Sequence, residues 1–116
     1  MTSKFVYMPR FERAVKQLKK RYRNIIDDVE KVIESIESQP STGTVIPNDY
    51  AVRKIRVASR DMQRGKSGCY RLLYLLSEST NQNMIVYLLF IYAKTDQENV
   101  SLTQLEELIE DIPPDA

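Results

Sequence analysis

Two apolar runs, CYRLLYLL over 69–76 and MIVYLLFIYA over 84–93, decide what this chain can fold into. Both are rich in Leu, Ile, Val, Tyr and Phe. Both are too short for a membrane-spanning helix, and a polar turn over 78–83 separates them. β-Branched and aromatic residues in short runs bounded by turn residues predict strands. The pair therefore reads as an antiparallel hairpin. A strand's side chains alternate between two faces. That places Cys69, Arg71, Leu73 and Leu75 opposite Tyr70, Leu72, Tyr74 and Leu76. On the last strand it predicts a shared face for Met84, Val86, Leu88, Phe90 and Tyr92. Because both faces are apolar, the middle of the sheet is expected to be covered on both sides.

The segment in front of the hairpin is basic. Residues 53–71 carry Arg53, Lys54, Arg56, Arg60, Arg64, Lys66 and Arg71 against Asp61 alone, a local charge of +6 in a chain whose total is +1. Residues 52–58 alternate, so Lys54 and Arg56 share one face of a third strand and Arg53, Ile55 and Val57 the other. Residues 60–68 contain two glycines and form the turn into 69–77. A concentration of cations on a sheet suits a polyanionic partner. Residues 95–116 hold seven acids and no base, which predicts a basic working face with an acidic C-terminus away from it.

The remainder supplies scaffold. Residues 4–8 read as a strand ended by Pro9. Phe11, Val15, Leu18 and Tyr22 recur at helical spacing. A second helix is expected after Asn24 as its cap, with Ile25, Val29, Val32 or Ile33, and Ile36 inward. A loop over 40–52 follows, in which Val45 and Ile46 pair briefly. Ser101 and Gln104 have the spacing of a capping box, opening a helix with Leu102, Leu105, Ile109 and Ile112 on one stripe. The expected fold class is α+β in the order βααβββα, an N-terminal strand and helical hairpin packed on an antiparallel sheet. A chain of 116 residues predicts a single domain spanning 1–116.

Composition excludes several chemistries. There is no histidine and one cysteine, so the usual zinc sites, a Ser-His-Asp triad and an internal disulfide framework are ruled out. Proton transfer would fall to Lys, Arg, Tyr, Asp or Glu. No apolar run approaches the length of a spanning helix. The N-terminus carries no apolar signal segment, so a cytoplasmic protein without membrane contact is expected.

The series of Lys54 and Arg56 as K-x-R, GKSGCYRLLY over Gly65–Tyr74, and YAK at Tyr92–Lys94 before a helix resembles the RelE/ParE/HigB superfamily of type II toxins. The likeness is nearest to the HigB-type, RelE-like branch and covers nearly the whole chain. It implies a RelE-like fold and a cognate antitoxin as partner. It also implies ribosome-dependent endoribonuclease activity on mRNA in the A site of the 70S ribosome. That reaction is a transesterification in which the 2′-hydroxyl attacks the adjacent phosphate, with no metal or other cofactor.

By the same resemblance, Lys54 is a candidate base or phosphate ligand, with Arg56 beside it. Arg71 would hold the phosphate in the transition state, Lys94 would be a further cation, and Tyr92 a stacking surface or proton relay. Arg53, Arg60, Arg64 and Lys66 would grip RNA phosphates. The chain departs from the family pattern twice. Cys69 stands where the second glycine of GKSGG is usual. Residues 95–99, TDQEN, lack the Arg, Tyr or His that several relatives carry after the last strand. A ParE-like topoisomerase inhibitor without catalysis, and a partner-binding module that has lost its chemistry, stay open beside the nuclease.

Overall fold

A computed structural model describes residues 3–47, 50–62, 69–78 and 83–113. Strand β1 is Ser3–Tyr7, and Pro9–Lys19 and Ile25–Ser38 are helices α1 and α2. A single 3-10 turn over Pro40–Thr42 leads to β2, Thr44–Val45. Strands β3 (Arg53–Ala58), β4 (Cys69–Glu78) and β5 (Met84–Ala93) precede α3, Leu102–Glu110. The expected order holds, with β2 added where brief pairing was anticipated.

The sheet runs β1-β5-β4-β3-β2. The expected meander is present, with β3 antiparallel to β4 and β4 antiparallel to β5. The sheet is nevertheless mixed rather than antiparallel, because β1 lies parallel to β5, Ser3 against Met84 through Tyr7 against Leu88. The helices α1 and α2 carry the chain across the sheet to its far edge, and β2, β3 and β4 then bring it back to β5 beside β1.

Both faces are covered. Phe11 and Leu18 of α1 and Ile25, Val29 and Ile36 of α2 pack on Val57, Tyr70, Leu72, Tyr74, Val86 and Leu88. On the other face, Leu105 and Leu108 of α3 pack on Val52, Leu73, Tyr87, Leu89 and Tyr92. Tyr70, Tyr74 and Tyr87 are core residues.

One expected face is wrong. Leu73 pairs with Phe90 but Tyr74 pairs with Leu88, so Leu89 is an extra residue, a β-bulge. It reverses the alternation. Val86 and Leu88 face the helical hairpin, whereas Phe90 and Tyr92 face α3.

Termini and turns show where local signals prevail. Ser101 Oγ accepts from Gln104 N, and the Gln104 side chain accepts from Ser101 N, the expected capping box. Asn24 stands at the N-cap of α2 but makes no side-chain cap. Its N–H and Nδ2 instead both donate to the Asp61 carboxylate at 2.9 Å. A carboxylate is the stronger acceptor, and it ties the start of α2 to the turn after β3. Beneath the same turn, buried Asp28 accepts from Arg60 N. Among the described residues no helix is long and apolar enough to cross a membrane.

Candidate functional site

Strand parity decides which cations meet. Lys54 and Arg56 share their face of β3 with Val52, which lies under α3. Across the ladder Arg56 stands opposite Arg71, and Arg71 opposite Tyr92. A row Arg56–Arg71–Tyr92 thus crosses β3, β4 and β5. The adjacent row is Lys54–Leu73–Phe90.

The ladder phase brings the two arginines close. Lys94 N donates to Cys69 O, so by alternation Arg71 exchanges backbone hydrogen bonds with Tyr92 rather than with Arg56. Arg56 and Arg71 therefore form a non-hydrogen-bonded pair, the kind whose Cα atoms stand roughly 4.5 Å apart and whose side chains approach most closely. Like charges directly opposite one another destabilise a sheet.

Arg71 is 8% exposed. Its Nη1 donates to Cys69 Sγ at 2.7 Å and to Tyr70 O at 3.4 Å. Among the described residues no carboxylate neutralises it. Its Nε and Nη2 donors meet no acceptor there. A buried guanidinium without a counter-ion is costly unless a ligand or solvent completes it.

Tyr92 is 3% exposed, and its hydroxyl is buried without a hydrogen-bond partner among the described residues. Burial raises its pKa above the ordinary phenol value, while the charge of Arg71 pulls the other way. The phenol therefore stays protonated at neutral pH and can donate. Its ring stacks on Phe90, with centroids 6.0 Å apart and planes 29° from parallel.

Lys54 Nζ donates to Asn99 Oδ1 at 3.3 Å. A cleft of about 300 Å³ opens between β2 and the segment after β5, with Lys54, Tyr92 and Asn99 in its walls. Asn99 was not among the sequence candidates. It belongs to the TDQEN segment, whose Asp96 is drawn away to Arg21 on the far side.

Of the other candidates, Arg53 and Arg60 separate from this group. Arg53 faces the helical hairpin side, and its Nη1 donates to Ser41 O and Gly43 O at 3.2 and 2.8 Å. It is spent on holding the Pro40–Thr42 turn. Arg60 sits in the turn after β3 and pairs with Asp27 at 3.4 Å. Lys94 follows β5, its backbone bonded to Cys69. Arg64 and Lys66, with the GKSG segment, lie outside the described residues. Of the C-terminal acids, Glu98, Glu106, Glu110 and Asp111 are exposed and Glu107 is half-buried, and several are paired. Asp111 and Glu107 meet Arg10, and Glu106 accepts from Tyr50.

Among the described residues no group of three or more His, Cys, Asp or Glu side chains could hold a metal ion. No protein-family model matches the chain, and no curated protein matches it.

Proposed function

We propose that this protein is a RelE-like toxin of a type II toxin–antitoxin system, an endoribonuclease that cuts ribosome-bound mRNA without a metal. The observation that carries the reading is the row of Arg56, Arg71 and Tyr92, in which Arg71 meets no carboxylate and the Tyr92 hydroxyl no partner among the described residues, with Lys54 one row away. Two opposed arginines on neighbouring strands are costly to the free protein and useful only when an anion lies between or above them. The helical hairpin between the first two strands and the three-strand meander agree with the RelE-like topology.

A pentavalent phosphorane carries more negative charge on its oxygens than the ground-state diester, so fixed guanidinium groups favour it. Arg71 would offer its guanidinium fork to two phosphate oxygens. Arg56 would add a second cation. Lys54 would stand at the attacking 2′-hydroxyl. Tyr92, protonated and buried, would donate to the leaving 5′-oxygen, and Phe90 stacked beside it would extend an aromatic surface for a base.

A second reading rests on Lys54 being already engaged by Asn99 and on Arg71 being turned toward Cys69 and Tyr70. On that reading the same face binds a protein partner and does no chemistry, as in a ParE-like inhibitor or a degenerate module. One assay decides. Purified protein is incubated with a defined mRNA, with and without 70S ribosomes bearing an open A site, and ends are mapped by primer extension. The nuclease reading expects cuts only with ribosomes and none from Arg71→Ala. Intact mRNA with translation undisturbed would sink it, and gyrase supercoiling would then be assayed.

A further inference from the structure

Thr44 of β2 pairs with Lys54, so the row Lys54–Leu73–Phe90 runs on to the edge of the sheet. There it meets the cleft of about 300 Å³. Val45, Ile46, Pro47 and Val100 supply apolar walls, and no carboxylate lines it among the described residues. The cleft is open to solvent. Val45, Pro47 and Asn99 are exposed, and Ile46, Lys54 and Val100 are half-buried. Val45 is a large apolar residue that the free protein leaves uncovered.

The polar end of the cleft offers donors. Lys54 Nζ donates to Asn99 Oδ1 at 3.3 Å. That bond engages the acceptor of the Asn99 amide and leaves its Nδ2, which meets no acceptor among the described residues. An ammonium carries three N–H bonds, so Lys54 keeps others beside it. The two side chains thus bring N–H groups to one end of an apolar slot, and the side-chain acceptor between them is already taken.

We propose that this cleft takes a guanine base of the RNA, that of the nucleotide whose 2′-hydroxyl lies at Lys54; the inference rests on the nuclease reading and names the substrate of that site. A base in single-stranded RNA can be splayed out and read on its edges. Guanine shows N7 and O6, two acceptors side by side, whereas adenine sets an amino group beside N7 and cytosine shows an amino group. Asn99 Nδ2 and Lys54 Nζ match the first pattern and oppose the other two. Uracil offers O4 alone and makes half the contact. Lys54 and Arg56 are two residues apart on one strand, about 7 Å, which sets the base one step from a phosphate held by Arg56 and Arg71. A carboxylate of a protein partner would also suit Lys54, but it would leave the apolar walls uncovered.

The test uses the full chain, labelled with nitrogen-15, and the four nucleoside 3′-monophosphates, which bind without being cut. The guanosine form is expected to shift the Asn99 side-chain amide and the Val45 and Val100 backbone amides. Its affinity should exceed that of the adenosine form about ten-fold, the scale of one good bidentate base contact. The 7-deazaguanosine form, which lacks the N7 acceptor, should fall toward the adenosine level. Asn99→Ala, at an exposed position, should bring all four nucleotides to equal affinity. Equal affinity of the four for the unaltered chain would overturn the proposal, as would Val45, Asn99 and Val100 amides unmoved at saturation. So would inorganic phosphate or N-acetylglutamate amide that moves the same amides as strongly at the same concentration, the first marking a plain anion site and the second a protein carboxylate. The ribosome assay separates this inference from the reading beneath it. Cuts are expected 3′ to guanosine. Cuts at all four nucleotides alike would keep the nuclease and discard the guanine site, and guanine-selective shifts without any cut would keep the site and discard the nuclease.

Discussion

Arg56 and Arg71 stand opposite one another on adjacent strands, in the register position where side chains come closest, and no described carboxylate separates them. Removing one charge should move stability and RNA binding in opposite directions. Arg56→Gln is expected to stabilise by about 0.5 kcal/mol, within the range for relieving a like-charge cross-strand pair. The same variant should flatten the logarithmic salt dependence of RNA binding by about 0.7, one phosphate contact to a single strand. Urea titration and filter binding over a salt series check the two halves.

Tyr92 presents a similar opposition. Tyr92→Phe removes a buried hydroxyl that has no partner among the described residues, and the relief is expected to be about 1 kcal/mol, at the low end for an unsatisfied polar group. If that hydroxyl serves the leaving oxygen, cleavage should fall by 10²-fold or so, the lower end for a general acid. Thermal unfolding and the ribosome-dependent assay would be run on one preparation. A variant both less stable and fully active would remove Tyr92 from the chemistry.

The buried phenols set the alkaline limit. Burial pushes Tyr70 up to about 12, against the hydrogen bond from Ser59 Oγ, which favours the anion. Burial also raises Tyr74 and Tyr92. The unfolded chain loses these protons near pH 10. Between that pH and about 12 the folded state binds more protons than the unfolded state, so stability falls as pH rises. Below the unfolded value the contribution is fully present and flat. Urea midpoints across this window, followed with tyrosinate absorbance, should decline steadily, and Tyr70→Phe should flatten the decline.

Gly43 and Tyr74 form a tight joint. Tyr74 OH accepts from Gly43 N at 2.8 Å and donates to Pro40 O at 2.9 Å. A Cβ on Gly43 would lie 2.7 Å from that hydroxyl. Gly43→Ala is therefore expected to cost about 1–3 kcal/mol, the range for overpacking. Tyr74→Phe leaves the Gly43 N–H unpaired and should cost about 1–3 kcal/mol. The ring carbons Cε1 and Cζ would also lie 2.9 and 3.1 Å from that Cβ, so Tyr74→Phe relieves only part of the clash, Tyr74→Leu relieves more, and double-mutant cycles with Gly43→Ala should show the larger coupling for leucine.

Ala51 holds φ at 60°, the left-handed region. Its side chain is exposed, so nothing is lost by removing it. Ala51→Gly should stabilise by up to about 1 kcal/mol, the residue of roughly 1–2 kcal/mol of relieved strain less the added freedom of the unfolded chain. Ala51→Val should destabilise. Paired thermal melts decide.

The hairpin of β4 and β5, both amphipathic helices and the Ser101 capping box were legible because each rests on local spacing. Alternation put Lys54 and Arg56 on one face of β3, and the ladder register, which alternation does not contain, brings Arg71 to the same face. Alternation also put Arg53 on the opposite one, yet charge kept Arg53 among the phosphate ligands. Its true acceptors, Ser41 O and Gly43 O, lie in a loop that spacing cannot bring near. Asn24 had the residue type of a cap and lost that role to Asp61, 37 positions away. That Arg71 would pair with Cys69 Sγ and Tyr70 O rather than a carboxylate depends on what α1 and α3 bring to each face. Strand pattern does not contain that information.

Leu89 gives β5 a change of phase. Ahead of it the even-numbered side chains feed the core beneath the helical hairpin, and behind it they turn toward α3 and the arginines. One strand thereby serves two clients with one set of aromatic residues. Deleting Leu89 would restore a uniform period without turning any side chain over, because the bulged residue is the extra one: Leu88 would stay under the helical hairpin, and Phe90 and Tyr92 would stay toward α3. A second inserted residue in place of the deletion would do the reverse, carrying Tyr92 under α1 and Ile91 and Ala93 out toward Arg71. The row Arg56–Arg71–Tyr92 thus depends on the number of paired positions between Leu88 and Tyr92, and the bulge is how a strand one residue too long keeps its inside inside.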